Sequence, residues 1–476
     1  MKYILRKRRE KKMMKKTKRI LALTLTAWSL LALTACSGQK ASETATTEKQ
    51  AAGETTTAEK TEAAKGEGKR EKLVISTYLA DAAQVAVREK YIDGPLQEAF
   101  PDVDIEIKMY NDRQSLQVEV AGGGGPDILD LDGPTDVAEF AKAERVLALD
   151  DYAAKYGWQD MFYGWAYDSC FYNEKLFSLP TSFEGMVIYY NMDVMEENGW
   201  KKPETKDELI TLMKEIKDKG IIPLSFGNSN YQGAVDWLYS TFTSCYAGPD
   251  VLRKALTGEG KFTDPKLTAS IQTMVDWWTE GWLGDNASQS ITNEDMMAFF
   301  AEGRAAMMIN GTWASNQLNT TYPDCNWDSE MMPKDPEIGS ILPFATGGGY
   351  SINANSKNPD LAAEVLNYLF TSMDRHYASI NEAGYQPYPL KDFDISKLEG
   401  MDPKMFDQYQ LLMDAQTNNQ IGFCSWTFYP SDMRVYMNEN VDSMFLGVLS
   451  VDDFMNKSQE YLDAALASGT APVLPE

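Results

Sequence analysis

The apolar positions of this chain fall into short β-branched runs separated by helix-like stretches. Residues 72–77 (KLVIST) and 103–109 (VDIEIKM) are such runs, and residues 81–100 between them have helical composition as far as the Gly94-Pro95 break. The order strand, helix, strand predicts a parallel pair joined by a crossover. Residues 113–120 then predict a helix, the glycines at 122–125 a turn, and residues 126–131 (PDILDL) a buried strand. The same grammar returns with a strand over 186–190, an amphipathic helix over 206–219, a strand over 221–226 that Pro223 pushes toward a sheet edge, and a strand over 305–310 (AAMMIN). Residues 359–370, 403–415 and 451–467 predict helices. This alternation predicts an α/β architecture.

The N-terminus follows a different rule. The first 19 residues hold eleven Lys or Arg and one acid, and residues 20–35 are 16 uncharged residues, four of them Thr or Ser. A spanning helix needs about 20 apolar residues, so residues 1–35 fit a signal peptide better than a permanent anchor. Leu33-Thr34-Ala35-Cys36 resembles the bacterial lipobox, which implies that Cys36 is acylated and becomes the new N-terminus; the alternative is an ordinary leader cut beside an incidental cysteine. Two acyl chains hold a protein to a membrane stably, where one does so marginally. Residues 36–70 contain no aromatic residue and no Leu, Ile or Val, and so predict a disordered, lipid-anchored tether. The expected location is the extracellular face of the cell membrane, most simply that of a Gram-positive cell.

Composition narrows the function. Loss of the leader removes a net ten positive charges and takes the formal charge from −25 to −35, which excludes nucleic-acid binding. About 406 residues follow the tether, more than one core serves, so two lobes are expected. Cys170, Cys245, Cys325 and Cys424 could pair in three ways, and none belongs to a C-x-x-C, so neither zinc nor a redox motif is indicated. The glycines at 122–125 lack the Lys-Ser or Lys-Thr of a phosphate loop. No cofactor or metal is called for.

Several blocks, taken in order, resemble the sugar-binding family of extracellular solute-binding proteins of bacterial ABC importers, the family that includes maltose-binding protein. These are Gly124-Gly125-Pro126-Asp127-Ile128, then Leu179-Pro180-Thr181 with Tyr189-Tyr190-Asn191, then Gly199-Trp200 with Pro203-Glu204-Thr205-Lys206-Asp207-Glu208-Leu209 and Gly220-Ile221-Ile222-Pro223-Leu224. The run from Phe300 to Trp313 (FAEGRAAMMINGTW) and Gly347-Gly348-Gly349-Tyr350-Ser351-Ile352 with Ser356-Lys357-Asn358-Pro359 complete the series. The resemblance covers the chain from about Leu73 to the C-terminus. It implies a type II periplasmic-binding-protein-like fold: two lobes, each a mixed β-sheet flanked by helices, joined by a multi-crossing hinge. Residues 71–183 and 350–398 are expected in lobe 1, and 184–349 and 399–476 in lobe 2. The implied partners are a carbohydrate, expected to be an oligosaccharide, and the permease subunits of the importer, with the protein itself a monomer.

A sugar presents flat C–H faces and a rim of hydroxyls, which calls for aromatic platforms edged by carboxylates. With eleven Trp and twenty-four Tyr the chain has many candidates. Trp313 stands where the family places a stacking aromatic. Trp426 lies in a polar, helix-poor stretch, and Tyr231 and Trp237 follow the strand ending near Leu224, one expected at the ligand and the other packing. Glu184 matches the family's carboxylate at the crossing strand. Asp132 follows the strand at 126–131, either as a ligand contact or as a helix cap. Tyr78 and Asp81 end the first strand, and Tyr350 after three glycines either touches ligand or packs beneath them. Arg304 is expected to be solvated.

The competing classes are a secreted glycan hydrolase, whose paired carboxylates would flank a cleft, and a lipoprotein adhesin. The chain's single histidine, His376, is expected on the surface of a helix, which leaves histidine-based catalysis without a base. Solute capture without turnover is therefore the expectation.

Overall fold

The computed structural model of the chain describes residues 70–78, 82–110, 113–230 and 233–474. The leader, Cys36, the tether, Asp81 and Tyr231 lie outside the described residues. Beside a short hairpin, the strands are β1 (Glu71–Tyr78), β2 (Val103–Tyr110), β3 (Ile128–Leu131), β4 (Leu179–Pro180), β5 (Glu184–Asn191), β6 (Ile222–Ser225), β7 (Ala305–Gly311), β8 (Trp327–Glu330), β9 (Leu342–Ala345), β10 (Gly349–Ile352) and β11 (Ile421–Phe423). They form two main sheets.

The first has the order β2-β1-β3-β10-β4. β1 pairs in parallel with β2, Ile75 opposite Ile107, as the strand, helix, strand pattern predicted. β3 is parallel to β1, and β10 returns antiparallel to β3 with Ile352 opposite Ile128. The second sheet runs β11-β9-β5-β7-β6, with β8 also on β5. Every residue of β7, and all of β5 after Glu184, is buried, which is why both read as unbroken apolar runs rather than alternating ones. Pro223 sits on β6 at the sheet edge, where its missing N–H breaks no ladder.

The recognisable motifs are largely structural. Asp127 of the Gly-Pro-Asp turn accepts from the Val74 N–H (2.8 Å) and the Ser356 hydroxyl (2.6 Å), which ties three segments of the first sheet together. Asn191 caps the following helix by accepting from Val194 N (3.1 Å), while its amide donates to the Phe300 carbonyl (2.8 Å). Thr205 caps helix Lys206–Asp218, and Glu208 reaches back to the Glu204 N–H (2.8 Å) in the manner of a capping box.

Two expectations are corrected. The Gly94-Pro95 pair does not break the helix: Ala82–Arg88 continues through a π turn at Glu89–Asp93 into Gly94–Ala99. Gly94 N–H bonds the Glu89 carbonyl, a wider turn just before the proline ring. His376 is not on a surface. It is 1% exposed, stacked on Tyr388 at 3.9 Å, and its Nε2 accepts from Tyr388 N (2.9 Å). Burial, then the charge of Arg375, holds its pKa well below the usual value, so it is a neutral core side chain. Arg375 beside it is buried too, donating to the carbonyls of Leu369 (2.7 Å) and Tyr91 (3.1 Å).

Two segments pass side by side between the sheets, one from β4 to β5 and one from β9 to β10. Thr181 N–H donates to the Gly348 carbonyl (3.0 Å) and Gly347 N–H to Ser182 Oγ (2.9 Å). The two halves also meet away from these crossings. From helix Gly133–Lys142, the Thr135 hydroxyl lies 2.9 Å from the Thr427 carbonyl and 3.1 Å from that of Tyr429, just beyond β11. Cys170, Cys245, Cys325 and Cys424 are all free and buried.

Candidate functional site

Three tryptophans from separate parts of the sequence come together. Trp313 begins the helix after β7, Trp237 lies in the π-helical turn Ala234–Tyr239, and Trp426 in the 3-10 turn Ser425–Phe428. Ring centroids of Trp237 and Trp313 are 6.0 Å apart and those of Trp313 and Trp426 6.2 Å, the latter edge to face at 87°. Trp237 and Trp426 are each 5% exposed, so Trp313 is the half-buried member that keeps surface to offer. Gly311 makes its placement possible: a Cβ there would overlap the Trp313 ring. The Ser240 hydroxyl fixes the Trp426 turn, accepting from Trp426 N (3.3 Å) and lying 2.9 Å from Ser425 Oγ.

The acidic candidates gather at the crossings. Glu184 opens β5, and a Cβ on Gly347 would collide with its carboxylate, so glycine there leaves the carboxylate its space. Burial pushes the Glu184 pKa up to about 7, against a hydrogen bond from Ser182 and with a further push from Asp132. Asp132 is thus close enough for its charge to be felt. It stands at the start of helix Gly133–Lys142, yet its side chain makes no capping bond; instead its own N–H donates to Asp136 Oδ2 (3.1 Å). The cap alternative therefore fails for the side chain, which is left to face elsewhere.

Sequence reasoning missed Asp130 and Arg88. Asp130 sits within β3 opposite Tyr350, and its pKa is pushed up to about 7 by burial, with Arg88 opposing and Asp132 reinforcing. Arg88 lies 3.2 Å from Asp93; burial works against its charge, but Tyr350, Asp93 and Asp130 outweigh that and raise its pKa. Tyr350 is 7% exposed, its pKa raised by burial, and packs under the glycines against Arg88. The alternating PDILDLD pattern carried a signal for Asp130, whereas nothing local marks Arg88. Tyr78 packs partly buried on the small cluster containing Leu129 and Leu131. Arg304 is exposed, its guanidinium over the Phe299 ring at 3.5 Å.

Concave spaces of about 370 Å³ occur elsewhere, one between helix Gly133–Lys142 and the C-terminal helix Val451–Ser468, another beside Trp200. Neither is lined by Trp237, Trp313 or Trp426. A pH test follows from the two raised carboxylates. An unfolded Asp or Glu ionises near pH 4, so between roughly pH 4 and 7 the folded chain holds more protons and stability falls as pH rises. Urea midpoints are expected to drop from about pH 5.5 to about pH 7.5 more steeply in the wild type than in Asp130→Asn; an equal slope would remove Asp130 as a proton holder. Neutral His376 acts in the opposite sense below about pH 6.5 and cancels in that comparison.

A model of the bacterial extracellular solute-binding protein family matches residues 76–374, more than half of the chain, and the chain belongs to that family. A putative binding protein of Brucella abortus is 27% identical over 281 residues, 58% of this chain and 65% of the relative, so the chain spans less than two thirds of that relative's length. The multiple sugar-binding protein of Streptococcus mutans is 25% identical over 310 residues, 61% of this chain and 71% of the relative. Among solved structures, a chitin oligosaccharide binding protein superposes with a TM-score of 0.71 at 21% identity, over 84% of this chain and 100% of that one. Maltose-bound MalE3 of T. maritima gives 0.66 at 22%, over 83% and 99%. At such identities these likenesses establish the fold, which is the two-lobe architecture expected from the sequence.

Proposed function

We propose that this protein is the extracytoplasmic binding component of an ABC importer, capturing a carbohydrate between its lobes and delivering it to the permease without altering it. The observation that carries the proposal is the meeting of Trp237, Trp313 and Trp426; the residue before Trp313 donates from its N–H to the carbonyl of Gly185, next to Glu184 (3.0 Å), and Thr427, next to Trp426, lies against Gly133, next to Asp132, so a stacking surface and hydroxyl acceptors come from adjoining backbone. Lobe 1 comprises residues 71–183 and 350–398, and lobe 2 residues 184–349 and 399–476. Tyr78, Asp81, Tyr231 and Tyr350 complete the site or its support. A ligand favours closure only by touching both lobes, and the crossing segments beside Glu184 are where the lobes turn. Cys36 carries the lipid anchor that keeps the monomer at the cell surface. The names of relatives such as the Streptococcus mutans multiple sugar-binding protein support the ligand class.

The test is a thermal-shift screen against mono- and oligosaccharides, each incubation then analysed for products. A ligand at 100 times its Kd adds about 2.7 kcal/mol of stability. A shift with intact sugar recovered is the expected result. Hydrolysis, or no shift with any carbohydrate, contradicts the proposal.

A further inference from the structure

The turn that presents Trp313 is fastened on both sides. Thr312, the residue before it, is fully buried. Its N–H donates to the Gly185 carbonyl (3.0 Å), its carbonyl accepts from Ser315 Oγ (2.7 Å), and its hydroxyl oxygen accepts from Gly185 N (3.4 Å). The hydroxyl proton still needs an acceptor, and Gln386 supplies one: Thr312 Oγ1 donates to Gln386 Oε1 at 3.1 Å, while Gln386 Nε2 donates to the Thr312 carbonyl at 3.5 Å. Past Trp313, the Asn316 amide donates to the Ala383 carbonyl (3.0 Å). Residues 312 and 316 are thus bonded to residues 386 and 383, with Trp313 between.

Residues 383–387 start a third passage between the halves. Helix Met373–Ala383 is tied to the first half by Arg375, which donates to the Tyr91 carbonyl (3.1 Å). Helix Pro403–Thr417 is tied to the second sheet by Gln408, which donates to the Tyr189 hydroxyl on β5 (3.0 Å). Between them Gly384 has a φ of +65°, and a Cβ there would stand 2.9 Å from Met405 Cε and 3.1 Å from Asn316 Cγ, so the chain turns here only as glycine. The Tyr385 carbonyl accepts from the Tyr409 hydroxyl (3.1 Å), and the Pro387 carbonyl from the N–H of Phe183, next to Glu184 (2.7 Å). The Gly185 bonds continue the pairing of β5 with β7 and fix where Thr312 lies. The Gln386 pair comes from a separate segment and fixes the turn beyond it.

We propose that Gln386 is a positioning residue for sugar binding: through Thr312 it holds the turn in the one orientation that presents the Trp313 ring to ligand. This deepens the carbohydrate-capture function proposed above and rests on it. A platform held before the ligand arrives spares the complex the cost of ordering it, so a loosened mount lowers affinity although every contact residue is still present.

Two measurements on the full folded protein test this. In ligand-free protein labelled with fluorotryptophan, the fluorine NMR line that vanishes in Trp313→Phe reports that ring alone. Gln386→Met, of similar length but without polar atoms, is expected to move or split that line, and Thr312→Val, which removes the other half of the bond, to do the same. Gln386→Glu keeps an oxygen for the Thr312 hydroxyl and should leave a single line near its wild-type place. Titration calorimetry with maltotriose, xylotriose and tri-N-acetylchitotriose is expected to show Kd raised about fivefold in Gln386→Met, the worth of one neutral hydrogen bond, and within about twofold of wild type in Gln386→Glu. A purely structural role would lower the melting temperature and leave both the Trp313 line and Kd in place; that result overturns the proposal, as does equal behaviour of the Met and Glu variants. No heat from wild type with any of the three sugars counts against carbohydrate capture, and the fluorine line alone then decides whether Gln386 sets the Trp313 ring.

Discussion

Replacing Trp313 with alanine is expected to weaken sugar binding by about 2 kcal/mol or more, close to a thirtyfold rise in Kd. Trp313 is the half-buried member of the cluster, and the packed rings of Trp237 and Trp426 hold it from two directions. Such a ring is a rigid platform whose truncation removes stacking area. The loss should fall on affinity more than on folding, because the two buried neighbours keep the core closed. Calorimetry on Trp313→Ala measures it directly, and an isotherm matching the wild type would take Trp313 out of the site.

The second large effect is on stability. Arg434, on helix Ser431–Phe445, grips Asp236 with two prongs, Nη2 to Oδ2 at 2.7 Å and Nε to Oδ1 at 3.3 Å. Asp236 is 2% exposed and immediately precedes Trp237. Substituting Arg434→Met deprives a buried carboxylate of its guanidinium, a change that typically costs about 3–5 kcal/mol. With an unfolding entropy of about 2.1 cal/mol/K per residue, the melting temperature should fall by roughly 5 °C. Adding Asp236→Asn should recover part of the loss, since the stranded charge is then gone. A single variant within about 1 kcal/mol of wild type would show that the pair contributes little. The turn that carries Trp237 hangs on this pair, so ligand affinity should decline in the same variant.

Much of this architecture was legible because its signals are local. β1, β2, β5 and β7 appear where β-branched or continuous apolar runs predicted them, within a residue or two, and Pro223 marked an edge strand through a missing donor. Trp313, Trp237 and Trp426, chosen separately, meet in space. What escaped was long-range pairing. His376 lies between polar neighbours and so reads as exposed, yet Arg375 beside it finds buried carbonyls at Leu369 and Tyr91, the latter 284 positions away. Asp130 read as a strand residue, and only its position opposite Tyr350 and near Arg88 brings it among the acids at the crossings. The Gly94-Pro95 pair misled for a related reason: a π turn, which composition does not announce, carries the helix past it.

The Thr135 hydroxyl, which spans from the first half of the molecule to the Thr427 and Tyr429 carbonyls, bears on how selectively a transporter would be served under the proposed function. A clasp that fastens protein to protein holds the two halves in this arrangement whether or not a guest is inside. Under the proposed function, each vacant but fastened molecule would compete with cargo-bearing ones for the same docking place, so the strength of this clasp would set a floor on idle encounters at the membrane.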